Sequence, residues 1–417
     1  MVLRRFVFAL SALLLIAAGT RAQPPSFAYG AAAGNVTAHA AVIWTRTDGP
    51  ADVRVEFSTD ADFHTVRRSD AVATGPEDDY TAHVDLRDLP PGRRIYYRVA
   101  TAAAPTGPGG SFVTAPPPSL ETPLTLIWGA DTQRELQPFR IFEGMRRRDP
   151  DLFLYLGDTI YADLGSSRAT TLDDYRRKYR ANRDDAHLRA FLASTSSWVM
   201  WDDHEVANNF DSRHTRLATG RRAFVDYWPI RVTPGQPARL YRSIRWGRTA
   251  EIFLLDTRQY RSPSRAPDGP SKTMLGREQK QWLIDGLRRS DAVVKIVASS
   301  VVLRHHGADS WEGYTTERDE ILRVVRDLRV ANVIVLSADV HYAAWIRHPE
   351  GVFEAVSGPL AASRAQTARA AGWPGVLWTA ADQFNYGWMR IRAERVTLEW
   401  RDDGDALLHQ IQMTIHR

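Results

Sequence analysis

Four short runs in the chain end in side chains able to do chemistry. "WGADTQ" ends at Asp131, "YLGDTIYAD" carries Asp158 and Tyr161, "MWDDHE" carries Asp203 and His204, and "LSADVH" carries Asp339 and His341. Each follows a strand-like apolar stretch, and in layered α/β sheets the loops beyond the carboxyl ends of strands meet at the functional crevice. Convergence would collect about four carboxylates, two imidazoles and a phenol. Carboxylates withdrawn from water are costly unless paired or bound to a cation. Two cations a few Å apart, sharing one carboxylate, would satisfy the set, and such pairs serve phosphoester displacement. Taken singly, each residue has a plainer reading. A strand-terminal Asp is more often a cap or turn residue, His341 can be a core histidine, and "DDHE" can be a solvated turn. Caps, however, need neither His204 and His341 nor a Tyr three residues after Asp158.

The elements that must position these residues fall into two styles. Over residues 27–115, "HAAVIWTRT", "DVRVEFS" and "RRIYYRVAT" alternate apolar and polar residues, with a Pro-Gly turn in "LPPGRR". Short alternating strands joined by turns predict a β-sandwich of immunoglobulin or fibronectin type. The Pro-rich residues 116–123 read as a linker. Beyond it "LTLIWG", "LFLYLG", "SWVMW", "AEIFLLD", "VVKIVASSV" and "NVIVLSA" alternate with helical runs such as "REQKQWLIDGLRRS" and "TERDEILRVVRDLRV". Thr171 and Asp174 form a capping-box pattern. Near-continuous apolar strands separated by helices predict an α/β domain over 124–417 whose sheet is covered on both faces. "MRIRAERVTLEWRD" alternates again and should add strands at an edge.

Hydrophobic residues at 44% and charged residues at 25% of 417 indicate a folded, water-soluble chain rather than a disordered or multi-span one. Residues 1–22 have a charged start, an apolar stretch over 6–18 and small residues before Gln23, the layout of a signal peptide, and Arg4-Arg5 loosely resembles a twin-arginine export signal. The expected location is therefore periplasmic or extracellular, with no transmembrane span in the mature chain. Without the three arginines of that leader the formal charge of +5 falls to +2, and no run of like charges forms a nucleic-acid-binding signature. There is no cysteine, so metal ligands must be oxygen or imidazole.

In order, "DTQ", "GDTIY", "DDHE" and "ADVH" resemble the altered blocks of calcineurin-like metallophosphoesterases. "GDTIYAD", "WDDHEVANN", "LLDTRQYRS", "REQKQWL", "SWEGYTTERDEIL", "ADVH" and "VSGPLAAS" are together similar to PhoD-type alkaline phosphatases, from about residue 27 to the end. The resemblance implies a β-sandwich followed by a four-layer α/β/β/α metallophosphoesterase domain. It implies that Asp131, Asp158, Tyr161 and His341 hold one metal, with Asp158 bridging, and that Asp203 and Asp339 hold a second. By the same resemblance His204 protonates the leaving group or steadies the phosphate, and Asn208 and Arg258 are weaker candidates for phosphate contact. Asp202 receives no role, Glu205 a structural one, and His305 and His306 are left out of the ligand set. The family's cofactors are iron and calcium; its cysteine ligand is replaced here by Asp131, which opens the site to zinc or manganese. The expected partner is a small phosphoester substrate, and no feature speaks to oligomeric state. Alternatives are phosphodiesterase or phospholipase D-like activity at the same site, or an inactive exported binding protein.

Overall fold

The computed structural model describes residues 26–165, 167–304 and 306–416. The leader expected over 1–22, and His305, lie outside the described residues. Among the described residues no helix is long and apolar enough to cross a membrane.

Two large sheets lie face to face. The first has nine strands in the order Leu407–Thr414, Arg395–Asp402, Asn385–Arg392, Leu124–Gly129, Leu152–Tyr155, Ser196–Val199, Ala31–Gly34, Ala41–Arg46 and Thr81–Leu86. The second has seven, in the order Arg242–Trp246, Ala250–Leu254, Val294–Ala298, Val333–Ser337, Phe353–Val356, Ala343–Arg347 and Val376–Ala380. Alternation decides which side chain enters which layer, because successive residues of a strand point to opposite faces. Leu126, Trp128, Leu152, Leu154 and Trp198 pack between the sheets with Ile252, Leu254, Ile296 and Leu336. Their neighbours Ile127, Phe153, Tyr155 and Val199 turn outward onto Phe142, Tyr175, Phe191 and Phe224 of the helices Ile141–Arg147, Leu172–Arg183, Ala186–Ser194 and Leu217–Tyr227. Helices Gly276–Arg289 and Thr315–Asp327 close the far side through Leu283, Leu287, Ile321 and Leu322. The result is the expected α/β/β/α layering, each fully buried large apolar side chain contributing about 1.5–3 kcal/mol. Thr171 and Asp174 make the reciprocal capping box that starts Leu172–Arg183.

The strands leading to the chemistry are parallel and in register. Leu152–Tyr155 pairs Tyr155 with Gly129 on one side and with Val199 on the other. In the second sheet Leu254 pairs with Ala298 and Ala298 with Leu336. Every chain segment carrying a candidate ligand therefore leaves its sheet at the same edge.

The amino-terminal segment has its own core, in which Ala31, Ala33, Ile43 and Val84 face Val53, Val55, Phe57, Ile95 and Tyr97. One of its two layers is not a separate sheet. Ala31–Gly34 pairs in parallel with Ser196–Val199, Ala33 opposite Ser196, so this layer continues the nine-stranded sheet. The other layer is Arg67–Arg68, Ala51–Ser58, Arg94–Ala100 and Gly109–Val113, with Val72–Thr74 beside Ala51–Ser58.

Candidate metal centre

Four of the candidate ligands share a backbone feature that the strands impose. Asp131, Asp158, Asp339 and His341 all have left-handed backbones, with φ of 69°, 49°, 74° and 57°. A left-handed residue ends the strand abruptly, and Asp, Asn and His tolerate it better than branched or bulky side chains. Two glycines make room for the turns. A Cβ at Gly358 would lie 2.6 Å from Asp131 Oδ2, and one at Gly157 would lie 2.5 Å from the Cβ of Asp202. Both glycines also have positive φ, so no other residue fits either place without strain.

The acids converge. Asp131, Asp158 and His341 each bring one ligand atom within 4.8 Å of the others, as do Asp158, Asp203 and His204, and Asp202, Asp203 and Asp339. Asp158 belongs to the first two groups and Asp203 to the last two, so the three form one chain. Tyr161 joins it, its hydroxyl 3.2 Å from His341 Nε2, which is also 3.7 Å from Asp131 Oδ1. His341 Nδ1 faces the carbonyl and hydroxyl of Ser363, which fixes the tautomer with the Nε2 lone pair turned toward Asp131 and Tyr161. Both carboxylate oxygens of Asp131 and Oδ1 of Asp203 are buried without a hydrogen-bond partner. Orphaned buried anionic oxygens among hard donors are what a cation would satisfy, and the donor set suits iron, manganese, zinc or calcium.

The electrostatics say the same. Burial, reinforced by the neighbouring carboxylates, pushes the Asp131, Asp158 and Asp339 carboxyls and the Tyr161 phenol well above their ordinary values. Burial likewise lifts Glu205 to about 7 and lowers His341. Asp203 runs the other way: burial opposes its charge, but Arg258, His204 and the Asn209 N–H outweigh that and hold it below the carboxylate range. For His204 burial also opposes the charge, yet the hydrogen bond to Asp163 and the pull of Asp203 raise it to about 9. The acids outnumber Arg258 and His204, and bound cations would supply the missing positive charge.

Several supporting residues escaped the sequence reading. Asp163 holds His204 Nδ1 at 2.6 Å and accepts the Asn208 N–H at 2.7 Å. His204 also lies over Tyr161, ring centroids 4.3 Å apart. Asp202 grips Arg258 through Nε at 2.5 Å and Nη2 at 2.8 Å and accepts Ser300 Oγ at 2.5 Å. Asp309 accepts Arg258 Nη1 at 2.8 Å and Arg261 Nη2 at 2.6 Å. His306 Nε2 stands 3.8 Å from Asp339 Oδ2, at the edge of the cluster. Glu205, by contrast, has the structural role read from the sequence: it accepts the N–H groups of Asp158, Thr159 and Asp202, locking the turns against each other.

One expectation needs correcting. Arg258 does not face the crevice: its side chain is 0% exposed, taken up by Asp202 and Asp309, with Nη2 3.6 Å from both Asp203 Oδ1 and Asp339 Oδ1. It is an internal counter-charge, not a phosphate contact. Asn208 donates its backbone N–H to Asp163 and, like Asn209, is exposed. The amide turned to the cluster is that of Asn209, which with its nitrogen inward donates to Asp203 Oδ2 at 3.2 Å and Asp309 Oδ2 at 2.9 Å. Trp311 and Tyr314 in the 304–314 segment are buried and donate to Ser299 Oγ and the Ser262 carbonyl, so they pack the segment rather than offer stacking faces.

Comparison with known proteins adds the family. The profile of the PhoD-like phosphatases matches residues 128–400, and that of the PhoD-like phosphatase N-terminal domain matches residues 14–116. Alkaline phosphatase D of Bacillus subtilis (strain 168) is 28% identical over 394 aligned positions, covering 80% of this chain and 67% of that protein. A solved structure of PhoD superposes with a TM-score of 0.85 at 24% identity, covering 94% of this chain and 89% of that one. Purple acid phosphatase PPD1 from yellow lupin (Lupinus luteus) seeds superposes with a TM-score of 0.71 at 14% identity, covering 94% and 75%. At these identities the two structures speak for the fold, and the fold is theirs. The profile match spans more than half the chain, and with it the ligand-rich strand ends acquire a family: the chain belongs to the PhoD-like phosphatases and is a metal-dependent phosphoester hydrolase.

Proposed function

We propose that the chain is an exported hydrolase of alkaline phosphatase D type whose centre holds two cations. Asp131, Asp158, Tyr161 and His341 hold the first, Asp158 bridges, and Asp203 and Asp339 hold the second. The observation that carries this reading is the set of partnerless buried oxygens on Asp131 and Asp203, in acid clusters linked through Asp158. Bound there, cations would neutralise phosphoryl oxygens and make water nucleophilic near neutral pH for in-line attack on phosphorus.

The remaining work falls to the chain's own groups. His204 keeps its Nδ1 on Asp163, which leaves Nε2 to reach an ester oxygen. Raised to about 9, it carries a proton at neutral pH and can hand it to the departing alkoxide. Arg258 holds Asp202, lies 3.6 Å from both Asp203 and Asp339, and helps to keep Asp203 ionised beside a phosphate. Glu205 fixes the two turns on which Asp158 and Asp203 stand. Export rests on the leader pattern of residues 1–22, and residues 27–115 form the accessory layer pair at one edge of the hydrolase.

The test is elemental analysis of the purified full chain together with release of nitrophenol from 4-nitrophenyl phosphate and bis(4-nitrophenyl) phosphate. Two metals per chain and turnover of at least one ester are expected, and Asp158→Ala should abolish turnover. Full activity of Asp158→Ala with unchanged metal content would end the assignment.

A further inference from the structure

Beside the metal centre opens a cleft of about 410 Å³, within the size range of small-ligand sites. Its inner wall is His306, Asp339 and His341, and its outer wall carries Arg364, Gln366 and Arg369. The outer wall is registered to the centre through the backbone. The Ser363 carbonyl accepts from His341 Nδ1, and Ala365 N–H donates to the His341 carbonyl at 3.2 Å.

The charges of this wall do not cancel. Arg364 donates to the Asp382 carbonyl at 3.1 Å, lies 3.8 Å from the Asp382 carboxylate and stacks over Phe384 with its charge 5.4 Å from the ring centre. Gln366 Nε2 reaches the same carboxylate at 3.4 Å. Arg369 donates to the His306 carbonyl at 3.3 Å and has no carboxylate partner among the described residues. Glu312, on the neighbouring segment, accepts the His306 and Gly307 N–H groups. One positive charge is thus left over at the cleft mouth. It is tied to the backbone of His306, whose ring stands 3.8 Å from Asp339 Oδ2. An exposed guanidinium beside an acid-rich centre cannot serve the acids, which face inward. Its planar fork matches a phosphate or carboxylate.

We propose that this cleft is a subsite for a second anionic group, so that the preferred substrates are phosphoesters carrying another phosphate or a carboxylate near the scissile ester, with Arg369 as the specificity-determining residue. This rests on the hydrolytic reading of the centre. Arg364, shared with Asp382, orients the second anion and Gln366 offers it a neutral donor.

The test compares phosphate release from glucose 1,6-bisphosphate and glucose 6-phosphate by the metal-loaded full chain, with 4-nitrophenyl phosphate reporting on the centre itself. The kcat/KM ratio of bisphosphate to monophosphate should be about tenfold, should fall toward one in high salt, and should fall likewise in Arg369→Ala through KM rather than kcat. Arg369→Lys should restore part of it, and Arg54→Ala, on the distant amino-terminal sheet, should keep it. A ratio near one in the unmodified chain, or a ratio untouched by Arg369→Ala, with aryl phosphate still hydrolysed, overturns the subsite alone. No turnover of any of the three monoesters overturns the subsite, and if bis(4-nitrophenyl) phosphate is also left intact the hydrolytic reading falls with it.

Discussion

Replacing Arg258 with Met should cost more stability than its distance from any substrate suggests. The guanidinium is fully buried, makes a two-point contact with Asp202 at 2.5 and 2.8 Å, and adds Asp309 at 2.8 Å. Removing one partner of a buried pair strands the other charge, a loss of about 3–5 kcal/mol. Asp203 and Asp339, each 3.6 Å from Nη2, lose their offset as well. At an effective dielectric near 20 a unit pair at that distance interacts by about 4–5 kcal/mol, so part of the damage should be recoverable by another cation. Urea unfolding in chelator should therefore show Arg258→Met less stable by at least about 3 kcal/mol, and manganese should narrow the gap. The double variant Asp202→Asn with Arg258→Met should recover roughly half of the loss, because the carboxylate held by two points of the guanidinium is no longer stranded. A loss under about 1 kcal/mol in chelator, or a double variant that merely adds the two single losses, would refute the internal counter-charge.

Three further outcomes are expected. Asp163→Asn should lower kcat by about 10- to 100-fold with metal content unchanged, since His204 loses the carboxylate that orients its ring; loss of metal instead would make Asp163 part of the ligand sphere. Gly358→Ala should reduce metal content and turnover together, because its Cβ would press on Asp131 Oδ2 from 2.6 Å; full metal loading would show that the turn yields. The third concerns Asp151, which is half-buried and held up at about 6 by burial, from an ordinary value of 3.8. An acid raised on folding gives its full stability below its unfolded value and loses it as pH rises through the folded one. Asp151→Asn, which keeps an acceptor for the Thr125 N–H, should therefore be more stable than the parent chain by about 1 kcal/mol at pH 7 and no more stable at pH 4; urea midpoints that differ equally at both would contradict this.

The convergence of Asp131, Asp158, Tyr161, Asp203, Asp339 and His341 was legible because parallel strands in register deliver their carboxyl ends to one edge, and the apolar runs mark those strands. The partners of these residues were not legible. Asp163, Asp202 and Asp309 act by pairing with groups between 41 and 56 positions away in sequence, a relation no local pattern records. "ANN" offered two asparagines, and nothing local in it marks Asn209 as the one whose amide reaches Asp203 and Asp309. The alternation of "DVRVEFS" gave the amino-terminal strands but not their attachment, since the parallel pairing of Ala33 with Ser196 joins segments far apart in the chain. Arg258 misled for a chemical reason: the same fork that binds phosphate binds carboxylate, and only burial separates the two uses.

The most direct measurement is anomalous X-ray scattering from crystals of the manganese-loaded chain. Two peaks are expected, one within bonding distance of Asp131, Asp158 and His341, the other beside Asp158, Asp203 and Asp339. An empty crevice, with manganese only at a surface cluster such as Asp60, Asp62 and His64, would contradict the paired centre.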